Sequence, residues 1–341
     1  MKFLIIRFSS IGDIVLTTPV IRCLRKQVPD AEVHFLTKKN FAVVVENNPY
    51  LHKVHYLSGD YEHTVAALKE ENYDYIIDLH NNVRTLRVKK ALKVPARAFR
   101  KLNVQKWLFT ALKINLLPDI HIVDRYMETV AEWGVKNDQG GLDYFIPEKD
   151  RVKETDIPAG HLAGYIAVVI GATYNTKKLP VERLKALCAA IDHPIILLGG
   201  SDDRANGELI SSVDRYRIYN ACGKFNLNES ADLVRRSKFV ISHDTGLMHI
   251  ATALKKQVIS LWGNTVPAFG MYPYYGNTFT QSFAASQTKQ PFEIAEVKGL
   301  YCRPCSKIGY QKCPLGHFKC MNNIDLERVT ALVNERLNRK G

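Results

Sequence analysis

Short apolar runs alternate with amphipathic stretches of helical length, and this alternation occurs twice along the chain. The strand-like runs are residues 2–8, 32–37, 53–57 and 73–79 in the first half and residues 164–170, 194–198, 239–242 and 258–262 in the second. Strands that alternate with helices are typical of parallel sheets covered by helices on both faces. The sequence therefore predicts an α/β fold of two doubly wound, Rossmann-like domains, whose ligands bind at the carboxyl ends of the strands.

Apolar residues recur at helical spacing between these runs. The predicted helices are residues 14–27, 41–47, 60–70, 123–133, 181–191, 203–213, 227–236, 246–254 and 325–339. A chain of 341 residues is long enough for two hydrophobic cores, and the polar, proline-containing residues 148–160 have the composition of a linker. We expect a first domain at residues 1–155, a second at 156–322 and a terminal helical segment at 323–341.

The distribution of apolar residues excludes several classes of protein. Hydrophobic residues make up 46% of the chain and charged residues 24%, which excludes disordered and collagen-like chains. The longest apolar runs fall short of the ~18 residues needed to span a bilayer. The apolar run that ends at Arg7 is also too short for the core of a signal peptide. We expect a cytoplasmic protein.

The charge is strongly unbalanced, with 47 Lys and Arg against 34 Asp and Glu and a formal net charge of +13. Residues 83–118 contain no acidic residue at all. The basic residues of this stretch are Arg84, Arg87, Lys89, Lys90, Lys93, Arg97, Arg100, Lys101, Lys106 and Lys113. Because residues 107–109 read WLF, the stretch is either a solvated basic face or a surface for an anionic, partly lipidic partner.

The first strand runs directly into residues 9–13, SSIGD, and then into a helix. Such a loop directs backbone N–H groups and the positive end of the helix dipole towards a ligand. Asp13 is a candidate general base at this position, although capping of the helix is slightly favoured on chemistry alone. The loop has no G-x-G-x-x-G pattern, so the fingerprint of a dinucleotide site is absent.

Two more strand-to-helix loops lie in the second half of the chain. Residues 171–180, GATYNTKKLP, contain the small, hydroxyl and cationic residues of a phosphate-binding loop, without the spacing of a P-loop. Residues 242–251, SHDTGLMHIA, place Asp244 and Thr245 just before a helix that starts at Gly246. Gly246 lets a ligand approach the backbone, and the helix end can hold phosphate oxygens. Capping by Asp244 or Thr245 is the alternative and is compatible with binding.

Four of the seven cysteines are clustered near the end of the chain. They are Cys302, Cys305, Cys313 and Cys320, with His317 alongside. Thiols of cytoplasmic proteins are normally reduced, so a structural zinc held by the four sulfurs is favoured over free thiols, and free thiols over disulfides. The other three, Cys23, Cys188 and Cys222, are expected to be small core residues.

Taken together, these segments resemble a known family. FLIIRFSSIGDIVLTTPVI, GATYNTKKLP, GGSDD and SHDTGLMHIATAL followed by VISLWGNT occur in the order and spacing of the ADP-heptose:lipopolysaccharide heptosyltransferases, the inverting glycosyltransferase family 9. The resemblance covers nearly the whole chain. It implies a GT-B fold, in which two Rossmann-like domains face a central cleft, the first binds the acceptor and the second binds the sugar nucleotide. It also implies that the C-terminal helix can pack back on the first domain.

The resemblance assigns roles to individual residues. Asp13 matches the catalytic base, Phe225 a main-chain contact to adenine, and Asp202 or Asp203 the ribose-binding acid. The residues that match diphosphate and heptose contacts are Thr173, Lys177, Asp244, Thr245, Gly246 and His249. The residues that match the acceptor side are Ser10, Gly12 and Arg84. Ala172 departs from the family, because many members have a threonine there.

The activity implied by the resemblance is transfer of heptose from ADP-heptose to the inner core of lipopolysaccharide, with inversion and without a catalytic cofactor. The implied partners are an ADP-sugar, an acidic lipid-linked oligosaccharide and the anionic inner leaflet, to which the protein would be peripheral; no nucleic acid is expected. A different sugar nucleotide as donor and a non-catalytic sugar-nucleotide binder are the alternatives. A nicotinamide enzyme is disfavoured by the missing glycine pattern.

Overall fold

The computed structural model describes residues 1–277 and 291–338, which form two compact units. The first unit contains Met1–Leu102, Asp119–Phe145 and, among the described residues, 274–277. The second unit contains Asn103–Pro118, Ile146–Pro273 and the described residues 291–338. The sequence-based boundaries at residues 155 and 322 stay a prediction.

The first unit is built on a parallel sheet with the strand order β3-β2-β1-β4-β5. Its strands are β1 (Lys2–Ile6), β2 (Glu32–Lys38), β3 (Lys53–Leu57), β4 (Tyr75–Asp78) and β5 (Ala96–Ala98). The central strand β1 is buried from Phe3 onward, as expected for a parallel strand covered on both faces. All carboxyl ends lie at one edge of the sheet, where Asp78 ends β4 and the SSIGD loop follows β1.

The helices of the first unit depart from the prediction at a proline. They are α1 (Ile11–Val15), α2 (Thr18–Gln27), α3 (Tyr61–Glu70), α4 (Val83–Leu92) and α6 (Ile122–Met127), while α5 belongs to the second unit. One helix is predicted where the structure has α1 and α2. Pro19 lacks the N–H that would bond to the carbonyl of Val15, and Thr18 Oγ1 donates to that oxygen instead, at 2.7 Å.

The second unit has a parallel sheet with the strand order β11-β10-β9-β6-β7-β8. Its strands are β6 (Ile166–Val169), β7 (Ile195–Leu198), β8 (Ile218–Asn220), β9 (Val240–His243), β10 (Val258–Trp262) and β11 (Phe292–Glu296). Strands β6 and β9 are neighbours. The loops at residues 171–180 and 244–245 therefore leave the sheet side by side.

The helices of the second unit, apart from α5, cover both faces of this sheet. They are α5 (Asn103–Leu112), α7 (Val181–Ala190), α8 (Arg204–Ser211), α9 (Leu227–Arg236), α10 (Gly246–Ala253), α11 (Lys319–Asn322) and α12 (Leu326–Asn338). Val329 and Val333 of α12 are fully buried in the core of the second unit, together with Leu184 of α7. The buried face of α12 thus packs within the second unit, and the expected packing of residues 323–341 on the first domain stays a prediction.

Residues 103–118 pack within the second unit through a few contacts. The ring of Phe109 lies 5.9 Å from that of Phe269, and Lys113 Nζ donates to the carbonyl of Pro304 at 2.8 Å. Helix α5 itself has no buried residue, and Trp107 keeps 59% of its surface exposed. The basic stretch therefore presents apolar side chains to the outside as well as charge.

An ionic network lies at the opposite edge of the first sheet, around Glu71. His34 Nδ1 and His55 Nε2 lie 3.7 and 3.6 Å from its carboxylate oxygens, and Lys2 Nζ lies 2.6 Å away. Lys53 also pairs with Glu71. Burial and the neighbouring His34 lower the pKa of His55 to about 4. Although burial acts in the other direction, the two lysines lower the pKa of Glu71 to about 2.

This network predicts a loss of stability in acid. His55 takes up a proton near pH 6.5 in the unfolded chain but only near pH 4 in the native state, so its contribution to stability is lost as the pH falls between these values. We expect the melting temperature to fall more between pH 7 and pH 4.5 for the native protein than for His55→Gln, measured by calorimetry. Equal slopes for the two proteins would contradict the prediction.

Candidate active site

Asp13 lies in the first turn of α1, at the carboxyl end of β1. Ser10 Oγ donates to Asp13 Oδ2 at 2.8 Å, and the Ser10 backbone N–H lies 3.3 Å from the same oxygen. This is the reciprocal capping arrangement at a helix N-terminus. The capping interpretation of Asp13 is therefore correct as a structural statement. It leaves Asp13 Oδ1 for other partners.

Arg7 holds the other oxygen of this carboxylate. Its guanidinium NH2 lies 2.6 Å from Asp13 Oδ1. The same side chain is buried and donates to the carbonyl of Leu79 at 2.6 Å and to the hydroxyl of Tyr126 at 3.1 Å. Sequence reasoning treated Arg7 only as the end of an apolar run. The role of Arg7 could have been inferred from its position, because a cation that directly follows a buried strand needs an anionic partner.

The charge state of Asp13 follows from these contacts. Burial raises the pKa of Asp13, but the charge of Arg7 and the hydrogen bonds from Ser10 outweigh it, so the pKa lies below its usual value. The side chain remains 23% exposed. Asp13 is thus an ionised carboxylate at neutral pH with a fixed orientation, and it is accessible to a ligand at the edge of the sheet.

The loop after β4 lies at the same edge. Asp78 Oδ1 accepts hydrogen bonds from the backbone N–H groups of His80 and Asn81, at 3.1 and 2.6 Å, which shape the turn into α4. The His80 ring packs 5.1 Å from that of Phe8, and burial together with Arg7 lowers its pKa to about 4. Arg84 is exposed in the first turn of α4. Asp13 and Arg84 therefore belong to one edge of one sheet.

In the second unit, the two predicted donor loops meet through an ion pair. Lys177 Nζ lies 2.6 Å from Asp244 Oδ2, and Thr265 Oγ1 donates to the same oxygen at 2.9 Å. Thr245 caps α10, with its hydroxyl accepting from the backbone N–H of Leu247 at 3.2 Å. Thr265 follows β10 and was not among the predicted site residues. The structure thus brings Lys177, Asp244 and Thr245 to one place at the carboxyl ends of β6 and β9.

The remaining predicted donor residues have different environments. Gly246 begins α10 and is half-buried, whereas His249, one turn further on, is buried. Thr173 is exposed, and its carbonyl accepts from Gln311 Nε2 at 3.3 Å. Phe225 is half-buried against the core of the second unit. The side chain of His249 is therefore less accessible than those of the loops.

The structure separates the roles of Asp202 and Asp203, between which the sequence left the choice open. Asp203 is buried, its Oδ1 lies 2.8 Å from Lys178 Nζ, and its Oδ2 accepts from the backbone N–H of Gly200 at 3.0 Å. A Cβ at Gly171 would lie 2.4 Å from Asp203 Oδ2. Asp203 thus holds two loops together, while Asp202 is exposed.

The cysteine-rich segment, residues 302–320, is hydrogen-bonded to the loops that are predicted to bind the donor. Thr176 Oγ1 donates to the carbonyl of Tyr310 at 2.9 Å and lies 2.7 Å from its backbone N–H. Arg303 donates to the carbonyl of Gly263 at 2.6 Å and to that of Thr265 at 2.9 Å. Thr265 in turn contacts Asp244. This segment therefore supports both sides of the Lys177–Asp244 pair.

The predicted zinc site is not supported by the arrangement of the cysteines. A metal site needs at least three ligand atoms of His, Cys, Asp or Glu close to one another. Across residues 1–277 and 291–338, His34, His55 and Glu71 have such atoms within 4.8 Å of one another, whereas the four cysteines do not form such a group. Burial raises the pKa of Cys320 to about 12, and the neighbouring Cys305, Cys313 and Cys302 act in the same direction. The zinc prediction is therefore unsupported by the positions of the four sulfurs, although Cys302 Sγ lies 3.8 Å from His317 Nε2.

In the part of the chain that the structure describes, no helix combines the length and apolar character needed to cross a membrane.

A comparison with protein families decides the assignment of the chain. The model of glycosyltransferase family 9 (heptosyltransferase) matches residues 63–301. This chain belongs to glycosyltransferase family 9. It is a glycosyltransferase, and the family predicted from the motifs is confirmed.

Individual relatives of this family 9 protein are similar to it in sequence and in fold. Lipopolysaccharide heptosyltransferase 1 of Campylobacter coli is 24% identical over 313 residues, covering 82% of this chain and 86% of that protein. The structure of E. coli ADP-heptose lipopolysaccharide heptosyltransferase II has a TM-score of 0.73 at 18% identity and covers 99% and 98% of the two chains. An E. coli heptosyltransferase solved with ADP has a TM-score of 0.66 at 21% identity, covering 98% and 100%. The predicted GT-B fold of two Rossmann-like domains is thereby confirmed.

Proposed function

We propose that this family 9 enzyme transfers heptose from ADP-heptose to the inner core of lipopolysaccharide, with Asp13 as the general base. The observation that carries the proposal is the geometry of Asp13. It is an ionised carboxylate, held by Arg7 and Ser10, at the edge of the sheet where ligands of such domains bind. Ser10, Gly12 and Arg84 are the acceptor-side residues of this proposal, and the first domain is the acceptor domain.

The reaction is a single displacement. The acceptor hydroxyl oxygen attacks the anomeric carbon of the heptose from the face opposite the diphosphate, and its proton passes to Asp13. The bond between the anomeric carbon and the diphosphate oxygen breaks, and ADP leaves with the electron pair. The configuration at the anomeric carbon is inverted as a result.

The departing ADP needs positive charge and hydrogen-bond donors. Lys177 supplies charge, Thr173 and Thr245 supply hydroxyl groups, and the N-terminus of α10 at Gly246 supplies backbone N–H groups. Because Lys177 Nζ donates to Asp244 Oδ2 at 2.6 Å and to the Asp244 carbonyl at 3.4 Å, one of its three N–H donors remains for phosphate. The following residues complete the donor site in this proposal: Phe225 for adenine, Asp202 for ribose, and Asp244 and His249 for the heptose.

The donor is tested by a panel of sugar nucleotides. We expect ADP-heptose to raise the melting temperature of the protein, and UDP-, GDP- and dTDP-sugars to leave it unchanged. The relatives named for ADP-heptose or solved with ADP support this expectation. A preference for a UDP- or GDP-sugar would overturn the donor assignment. Binding of ADP-heptose without transfer to any lipopolysaccharide acceptor would instead favour a non-catalytic binder.

The proposal includes a cytoplasmic location at the inner face of the membrane. Its support is the basic stretch, in which charge accompanies the exposed Trp107 and Leu112 of α5. Basic residues attract anionic lipid, and exposed aromatic and aliphatic side chains enter the headgroup region. Such contact brings the enzyme to a lipid-linked acceptor.

Neutralising part of the basic stretch is predicted to weaken membrane binding. We expect the triple variant Arg97→Gln, Arg100→Gln, Lys101→Gln to bind vesicles containing anionic lipid more weakly, since each exposed cation contributes about 1 kcal/mol near such a surface. The acceptor KM should rise and donor affinity should stay unchanged. Vesicle flotation at low salt measures the effect, with Lys69→Gln as a control outside the stretch. Equal flotation of the triple variant and the native protein would leave the stretch a solvated face.

A further inference from the structure

Two histidines and a carboxylate come together in the first unit, at the edge of the sheet opposite to Asp13. His34 lies on β2 and His55 on the neighbouring strand β3, and the parallel register places both on the same face of the sheet. Glu71 follows α3, just before β4. Because the candidate active site lies at the other edge, this cluster takes no part in the proposed reaction.

The spacing of the potential ligand atoms matches that of a four-coordinate metal site. His34 Nδ1 lies 3.3 Å from His55 Nε2, and these nitrogens lie 3.7 and 3.6 Å from the carboxylate oxygens of Glu71. The hydroxyl oxygen of Tyr73 lies on the fourth side, 3.0 Å from each nitrogen. Ligand atoms on a tetrahedral zinc ion with bonds of ~2.0–2.2 Å are separated by roughly 3.3–3.6 Å. Small shifts of these side chains would therefore suffice to hold an ion between them.

A second carboxylate orients His34 for this role. Glu32 Oε1 lies 2.9 Å from His34 Nε2. When the Nε2–H group donates to that oxygen, the lone pair of Nδ1 faces His55 and Glu71. Metal-binding histidines almost always donate their other ring N–H group to a carboxylate, a carbonyl or a water molecule in this way. Both histidines are buried, so packing holds the two rings in place before an ion arrives.

Two lysines contact Glu71 and oppose the binding of a further cation. Lys2 Nζ lies 2.6 Å from Glu71 Oε2, and Lys53 pairs with Oε1. Each carboxylate oxygen has two lone pairs, so Glu71 can keep both lysines and still bind an ion through one oxygen. The two positive charges nevertheless repel that ion. Removal of Lys53, whose side chain is largely exposed, should therefore strengthen metal binding.

We propose that this cluster binds a divalent transition-metal ion, for which zinc is the best match. Its ligands are His34, His55, Glu71 and Tyr73. Two imidazoles and oxygen ligands suit zinc, and a site whose four positions are all supplied by the chain is structural rather than catalytic. The ion would join β2 and β3 to the turn before β4. The loss of stability in acid expected from His55 concerns the protein without this metal.

The experiment titrates the full-length protein, freed of metal by a chelator, with Co²⁺ and then with Zn²⁺. We expect the native protein to bind one more Co²⁺ ion than His55→Gln, with the visible absorption of a tetrahedral ion and without thiolate charge-transfer bands, and Zn²⁺ to displace it. Zn²⁺ should raise the melting temperature of the native protein. Loss of a mere second-shell partner weakens metal binding ~10–100-fold, so His55→Gln should weaken Zn²⁺ binding at least about tenfold. His63→Gln, which removes an exposed histidine of α3, is the matched control.

The variant Lys53→Gln tests the proposal independently of how well His55→Gln folds. It should bind Zn²⁺ more tightly than the native protein, whereas Lys69→Gln, which removes an exposed lysine of α3, should not. Equal Zn²⁺ affinities of the two lysine variants would overturn the proposal, and so would equal Co²⁺ binding by His55→Gln and the native protein. Co²⁺ binding that is kept in His55→Gln and lost in Cys302→Ser would place the ion at the cysteines and overturn it as well.

Discussion

We expect Asp13→Asn to lower kcat by about 10²- to 10⁴-fold, the usual loss when a positioned base is removed. Asparagine has the same shape, and its Oδ1 can accept the hydrogen bond from the Ser10 backbone N–H, so the capping arrangement of α1 persists. The measurement is turnover of ADP-heptose with the lipopolysaccharide acceptor, accompanied by donor affinity. Donor affinity should be unchanged, because Asp13 lies in the first unit, which is the acceptor domain of the proposed function.

The variant Arg7→Met tests the same role of Asp13 through the pH dependence of kcat/KM, for which the direction of the shift can be predicted. Without Arg7, the pKa of Asp13 rises relative to the native protein, because only the hydrogen bonds from Ser10 then oppose the effect of burial. Because the base must be ionised, the acid limb of kcat/KM should move to higher pH, and Arg7→Lys should move it back. An acid limb that stays in place in Arg7→Met, or Asp13→Asn turnover within tenfold of the native protein with donor bound, contradicts the role of Asp13.

The second large effect is expected at Lys177. Lys177→Met should lower kcat by about 10²- to 10³-fold, the usual cost of removing one group that stabilises charge developing in the transition state. Donor KM should change less than kcat, since the diphosphate gains charge as the bond to the sugar breaks. Steady-state kinetics with saturating acceptor separates the two parameters.

Lys178→Met is the control for this prediction. Lys178 is the next residue, carries the same charge and pairs with Asp203 at 2.8 Å, away from Asp244. Its loss should lower the melting temperature and leave kcat within about tenfold, because Asp203 then loses an ion-pair partner. Equal losses of kcat in both variants would mean that Lys177 acts only through the general charge of the loop.

The sequence predicted the central strands of both sheets, but it did not predict β5, β8 and β11. The apolar runs that form β1, β6 and β10 are readily recognised as strands in the sequence, because parallel strands buried on both faces consist almost entirely of apolar residues. The single helix predicted at residues 14–27 is wrong at Pro19, where local backbone chemistry overrides periodicity. Helices α4 and α5 were not predicted, since the basic residues of that stretch obscure the apolar spacing.

Residues of the candidate active site could be predicted from the sequence only where they lie together in one strand-to-helix loop. Asp13, Asp244 and Thr245 are visible from a strand followed by polar residues and a helix. Arg7 and Thr265 were missed, because their importance depends on contacts made by the folded chain. The cysteine spacing suggested a metal, but spacing alone does not fix where the sulfur atoms lie, and the structure does not support the zinc site.

The hydrogen bonds between Thr176 and Tyr310 join residues that are 134 positions apart. A ribosome makes the chain from its N-terminus, and segments begin to fold as they emerge. The donor loop is therefore complete long before the residue that anchors it exists, and closing so long a loop carries an entropic cost that only the finished chain can offset. Strands β6 to β10 can pair beforehand, but nucleotide binding is expected to be among the last properties acquired during synthesis. Nascent chains released just before and just after residue 310 should differ in donor binding more than in sheet content.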